Sequence, residues 1–228
     1  MKRSGPTKRQ LQAMDTKSRI FESAMELGAR IGYESLNIND ICNAAGVSVG
    51  TFYHYFSSID AVFQEQYVAF DLFFSAAIEE APLSGVLLPD LRHLFALKYE
   101  YVSERGPQFI VRQYRGQFSQ IEEENAFFYS KTRIMNVLLV ETLQKGILQG
   151  ELKLPPGTTP EFFANALLIF SRGITIDWAL KNANYPLKEQ GLKMICIMIQ
   201  PYLAGKSSVQ TSMQEADGAE NFLSGALQ

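Results

Sequence analysis

The sequence predicts an all-α protein of about nine helices, a short N-terminal three-helix module followed by a larger helical domain. Three observations carry this. Apolar residues recur three and four apart along most of the chain, as on one face of a helix. Capping residues stand just ahead of those runs, and Gly or Pro closes them. Hydrophobic residues make up 46% of the 228 and charged residues 20%, enough to bury a core and ordinary for a globular chain.

The first helix is expected from Asp15 or Thr16, with Ile20, Ala24, Leu27 and Ile31 on one face and Gly32 as its stop. Asn37 caps a second helix over Ile38–Ala45, with Asp40 placed as in a capping box and Gly46 as its end. Ile41, Ala44 and Ala45 are expected to face inward. Ser48 caps a third helix over Val49–Tyr55, whose Phe52 joins Val47 in the core. Ser57, followed by Asp60, repeats the signature at the head of a long helix over 58–80.

Two short helices joined by a turn containing Gly form a helix-turn-helix, which places its second helix in the DNA major groove. The formal net charge of −3 argues against nucleic acid until its distribution is read. Residues 1–19 hold Lys2, Arg3, Lys8, Arg9, Lys17 and Arg19 against Asp15 alone, whereas residues 20–60 hold Arg30 against Glu22, Glu26, Glu34, Asp40 and Asp60. Phosphate neutralisation supplies most non-specific DNA affinity. A basic flexible arm, residues 1–14, is therefore expected to provide attraction that the module lacks, with Lys8, Arg9 and Lys17 as the candidate phosphate contacts.

The run Ala44-Ala45-Gly46-Val47-Ser48 and Gly50-Thr51-Phe52-Tyr53-His54-Tyr55-Phe56, with Ile20, Ala24, Gly32, Leu36, Asp40-Ile41 and Ser58, strongly resembles the DNA-binding domain of TetR-type transcriptional regulators. The resemblance is specific over roughly 45 residues and architectural beyond them. It implies that Thr51, Tyr53, His54 and Tyr55 contact bases or phosphates, that Ser48, Val49 and Gly50 lie at the DNA-facing helix start, and that Asn39 approaches DNA from the preceding helix. Tyr53 and Tyr55, two apart, cannot share a face, so one belongs to the surface and the other to the core. Where the family usually has a phosphate-contacting Lys, this chain has Ile59.

Residues 15–62 are thus read as the DNA-binding domain and 63–204 as a helical ligand-binding and dimerisation domain. Its further helices are expected over 90–104, 107–115, 125–149, 161–182 and 187–203, with a polar stretch at 116–124 and a loop at 150–160 marked by Pro155-Pro156-Gly157. Residues 205–228 read as a disordered tail. The last two helices are apolar nearly all round and so need burial on both sides, which points to a partner copy. Phe170, Gly173, Ile174, Trp178, Ile195, Met198, Ile199 and Tyr202 are the expected dimer contacts, and Gly173 and Gly191 permit close approach; similar regulators dimerise through such a pair as a four-helix bundle. Arg172 and Asp177, costly to bury alone, are expected in an ion pair or a contact between subunits.

The middle helices are rich in aromatic residues, and the resemblance implies that they enclose a lipophilic or aromatic ligand; Tyr99, Phe109, Gln113, Phe128, Asn136 and Phe170 are the candidates. An enzyme is not expected, because only His54 and His93 are available and no nucleophile elbow or phosphate-binding glycine loop occurs. Two distant cysteines, Cys42 and Cys196, offer no metal spacing, so neither cofactor nor metal is expected. No apolar run approaching 18 to 20 residues and no signal-like N-terminus is seen, which fits a cytoplasmic protein. The expected function is a ligand-responsive repressor that binds a palindromic operator as a homodimer and is released by a small effector. The alternative is an activator or co-regulator of the same fold acting through a partner protein.

Overall fold

The computed structural model describes residues 7–119 and 132–204. Among them run ten α-helices: α1 Lys8–Ile31, α2 Ile38–Ala45, α3 Val49–Tyr55, α4 Ile59–Gln64, α5 Gln66–Glu80, α6 Leu87–Arg105, α7 Pro107–Ser119, α8 Ile134–Leu148, α9 Pro160–Leu180 and α10 Leu187–Ile199. Short 3-10 turns over Tyr33–Ser35 and Gln200–Tyr202 complete the path. The all-helical class holds, and the tail from 205 lies outside the described residues.

In the N-terminal module α1 crosses α2, and α2 leads directly into α3. Ile20, Ala24, Ile41 and Phe52 are wholly enclosed, with Phe56 and Val62 beside them. The first helix starts earlier than expected. Lys8–Met14 is helical rather than a flexible arm, and Ile31, at 43% exposure, lies outside the core. Gly32 ends the helix at φ +89°, a conformation that favours glycine. Ala44 is exposed and its neighbour Cys42 is buried instead.

The two helices of the helix-turn-helix keep their expected bounds because their ends are set by adjacent side chains. Asn37 Oδ1 accepts the Asp40 N–H at 2.9 Å, while Asp40 accepts from the Asn37 side-chain amide at 2.6 Å, not from its backbone. Gly46 turns left-handed at φ +64°. Ser48 Oγ accepts the Thr51 N–H at 3.0 Å. At α4 the cap is Ser58, whose Oγ accepts from Ala61 N at 3.1 Å, and not Ser57.

The long helix expected over 58–80 is interrupted at Glu65, where the backbone bond tightens to Val62 O at 3.1 Å. Neither Pro nor Gly causes the break. The Glu65 carboxylate instead pairs with Lys17 of α1, holding the α4 end against the module.

In the larger domain α6 packs on α8 and α10, and α9 lies against α7, α8 and α10. The α7 helix runs through the expected polar stretch as far as Ser119. Arg133 is extended at φ −64°, ψ 137°, so α8 begins at Ile134; the part of the expected helix over 125–131 lies outside the described residues. The helix α9 is long and apolar enough, by length and composition, to cross a membrane, which the sequence reading did not anticipate. Its neighbours bury Phe163, Ala164, Leu167, Ile174 and Trp178. Between α5 and α6, the Asp90 carboxylate accepts from Ser84 N and Oγ at 2.7 Å each and from Gly85 N at 2.8 Å, and Glu151 accepts from Leu87 N at 2.7 Å.

Candidate nucleic-acid interface and effector cavity

Phe52 anchors α3 from below at 0% exposure, which turns the opposite face of the helix outward. On that face Tyr53 is 55% and Val49 40% exposed, and Gly50 and His54 are open as well. Asn39 is exposed on α2. Thr51 is half-buried, its hydroxyl 2.9 Å from Ser48 Oγ. Tyr55 is half-buried against the core, so the two tyrosines divide as their spacing requires. Lys8 and Arg9 are exposed in the first turn of α1. Lys17 is not among the open cations: its ammonium is held by Glu65 and lies 5.5 Å from the Phe56 ring centroid. Ile59 packs on the core at the head of α4.

A cavity of about 900 Å³ opens among α5 to α9. That volume suits a small-molecule site. Phe109, Gln113 and Asn136 line it, as expected. Tyr99 does not. It is wholly buried behind the wall, where its hydroxyl accepts from Ser171 Oγ at 3.0 Å and its ring leaves no room for a Cβ at Gly191. Phe170 also faces elsewhere on α9, and Phe128 lies outside the described residues.

The polar groups of the wall are ordered by their neighbours. Gln113 Nε2 donates to Tyr67 OH at 2.8 Å, and burial raises the pKa of that phenol. Tyr101 OH donates to Gln66 O at 3.3 Å, and burial pushes its pKa up to about 12. Arg133 pairs with Asp71 of α5 at 2.7 Å and donates to Tyr67 O at 3.2 Å, joining the start of α8 to the middle of α5. Asp177 pairs with Lys181 at 3.0 Å and accepts from Tyr185 OH at 3.2 Å, whereas Arg172 opens on the cavity.

Several cavity-wall residues were not anticipated, the charged Lys98 and Arg133 among them. Lys98 sits one helical register along from Leu91, Leu94 and Phe95 on the buried stripe of α6, and a cation at such a position was the available signal. Burial first, and the nearby Arg172 second, lowers its pKa to about 7. Arg133 carried no local pattern, because its partner Asp71 is remote in sequence.

The cavity shares α7 with the DNA-binding module. Phe109 lines the cavity, yet its ring lies 5.7 Å from Tyr33 and 6.0 Å from Phe63. One helical turn from it, Arg112 pairs with Asp60 of α4 at 2.9 Å and approaches Glu34 at 3.7 Å.

The expected dimer contacts are mostly spent within the chain. Ile174, Trp178, Ile195 and Ile199 are each at most 5% exposed and pack in their own domain; Phe170, Met198 and Tyr202 are half-buried. Gly173 is open, with nothing within 4 Å of an added Cβ. The apolar surface left uncovered is instead Phe162, Ile169 and Leu180 of α9 and Ile197 of α10, at 68%, 53%, 77% and 57% exposure.

A helix-turn-helix joined through α7 to an all-helical domain with a cavity is the architecture of a DNA-binding transcriptional regulator. Residues 20–65 match the family described as bacterial regulatory proteins, tetR family. Those residues carry the DNA-binding domain of TetR-type transcriptional regulators. The chain is 22% identical over 170 residues to the HTH-type transcriptional regulator UidR of Escherichia coli K12, covering 74% of this chain and 84% of that protein. It is 22% identical over 140 residues to the HTH-type transcriptional repressor KstR2 of Mycobacterium tuberculosis H37Rv, covering 61% and 70%. Its fold is similar to that of Thermus thermophilus FadR, a TetR-family repressor solved with lauroyl-CoA, at a TM-score of 0.62 and 20% identity over 85% of this chain and 97% of that one.

Proposed function

We propose that the protein represses transcription as a homodimer on a palindromic operator and leaves the DNA when a small lipophilic or aromatic effector fills the cavity. The observation that carries this is the shared α7, whose Phe109 lines the cavity and meets Tyr33 and whose Arg112 pairs with Asp60 of α4. A ligand favouring one α7 position shifts the reader by its differential affinity for the two states. The repressor and lauroyl-CoA complexes among similar proteins support the sign of regulation and the apolar effector.

On DNA, Val49, Gly50, Tyr53 and His54 would face the major groove, with Asn39 beside them and Thr51, Tyr55 and Ser48 holding the helix. Lys8 and Arg9 would add phosphate contacts from α1. The reader ends near residue 62 and the effector domain follows. Two readers joined by α9 and α10 would meet half-sites about one helical turn apart.

The test is selection of binding sites from a random duplex pool by the full chain, followed by titration with Tyr53→Ala. An inverted repeat should emerge, and the variant should bind it at least tenfold more weakly with an unchanged circular dichroism spectrum. Selected sites without two-fold symmetry, or undiminished binding by Tyr53→Ala, would count against the reading.

A further inference from the structure

Along Phe70, Phe109, Ile110, Met135 and Leu168 the cavity is apolar, and against that surface stands the ammonium of Lys98. Its Nζ donates to Ser171 Oγ and lies 5.5 Å from the centroid of the Tyr99 ring. Among the described residues no carboxylate lies within ion-pair distance of it. The nearest charged influence is Arg172, of the same sign, on the facing side of α9. The carboxylates of the wall, Glu141 and Glu161, belong to exposed residues, and Glu161 accepts from Gln144 at 3.2 Å.

A cation held against an apolar wall with no carboxylate paired to it is unfavourable until an anion joins it. A neutral apolar ligand would leave that cost in place. We propose that the cavity takes a small monocarboxylate with an apolar body, its carboxylate seated on Lys98 between α6 and α9 and its body along the Phe109 and Leu168 surface. This deepens the effector reading above and rests on it. Ser171 holds the ammonium in place.

Binding should then depend on the protonation of Lys98, which is lowered to about 7 by burial and Arg172. The other titratable groups around the cavity are Tyr67, Tyr101 and Tyr114, Arg133, Glu141, Glu161 and Arg172. The pKa values of Tyr67 and Tyr101 are raised well above neutrality. Lys98 is the group expected to change charge near pH 7, and a carboxylate should bind more weakly as the pH rises through that value.

The experiment is displacement of the neutral dye Nile red from the full-length protein by decanoate and naphthoate, each against its alcohol, decanol and naphthylmethanol, at pH 6.5 and 8.5. At least one carboxylate should displace the dye at a tenfold lower concentration than its alcohol at pH 6.5, with the advantage shrinking at pH 8.5. In Lys98→Met the ratio should fall to about one, and Lys98→Gln should behave alike if the first variant misfolds. Alcohols that match both carboxylates, or a preference that survives both substitutions, overturn the carboxylate assignment and leave the effector cavity standing. Displacement by lauroyl-CoA with neither carboxylate acting does the same. A protein that binds neither the dye nor any of these compounds by calorimetry overturns both readings.

Discussion

Exchanging the half-buried ammonium of Lys98 for a thioether of similar length shows what the charge costs the fold. The pKa of Lys98 falls from 10.5 to about 7 on folding, so between these values the unfolded chain binds a proton that the folded chain does not. Stability therefore rises as pH climbs from about 7 toward 10.5, and the cost is complete below 7. Lys98→Met should raise the melting temperature of the ligand-free protein at pH 6, with a smaller gain at pH 9.5; a gain independent of pH would show that the charge is not the cause. Lys98 was legible only as a cation out of place on an apolar stripe. The caps at Asn37 and Ser48 were easier to read, because a capping side chain and its target lie three residues apart. The pairing of Lys17, expected as a phosphate contact, was not legible for the converse reason: its partner Glu65 lies far along the chain, at the break between α4 and α5.

Among the elements, α7 has the widest reach. Arg112 is 14% exposed and Asp60 29%, so removing the guanidinium leaves a partly shielded carboxylate without its partner. Arg112→Ala should destabilise the protein by about 1–2 kcal/mol, below the range for fully buried pairs because solvent screens part of the charge. Hydrogen exchange should quicken in α4 and in the turn over Tyr33–Ser35 while α10 keeps its protection. Uniform quickening across the chain would deny α7 its role as the link. Its neighbour α5 shows where periodicity fails. The apolar run through Val62, Phe63, Tyr67 and Phe70 continues across the break at Glu65, since both helices bury the same side and nothing in their spacing records the interruption.

For the molecule as a whole, apolar faces on α9 and α10 announced a second layer of burial without saying which residues it would cover. A helix that is apolar all round has no sequence marker for inside, so Ile195 and Ile197 looked alike; the fold encloses the first at 2% exposure and leaves the second at 57%. If Ile197 meets a partner copy, Ile197→Asp should yield a folded monomer by sedimentation and weaken operator binding at least tenfold. Ile195→Asp should instead fail to fold. A dimer that persists in Ile197→Asp would move the interface off this face. The helix-turn-helix was readable because its turns are local, whereas the cavity was readable only as a region, because its wall is assembled from five helices.

The first turns of α5 are its clamped root, since Tyr101 OH donates to Gln66 O, Gln113 to the Tyr67 hydroxyl and Arg133 to Tyr67 O and Asp71, whereas its far end runs out through exposed Ala81 and Pro82, so α5 behaves as a cantilever. Fifteen residues at about 1.5 Å each give it an arm of about 22 Å. A tilt of roughly 3° at the root then carries the tip about 1 Å. A rotation imposed at the cavity wall, where Tyr67 and Phe70 stand, is in this way enlarged at the far end of the helix.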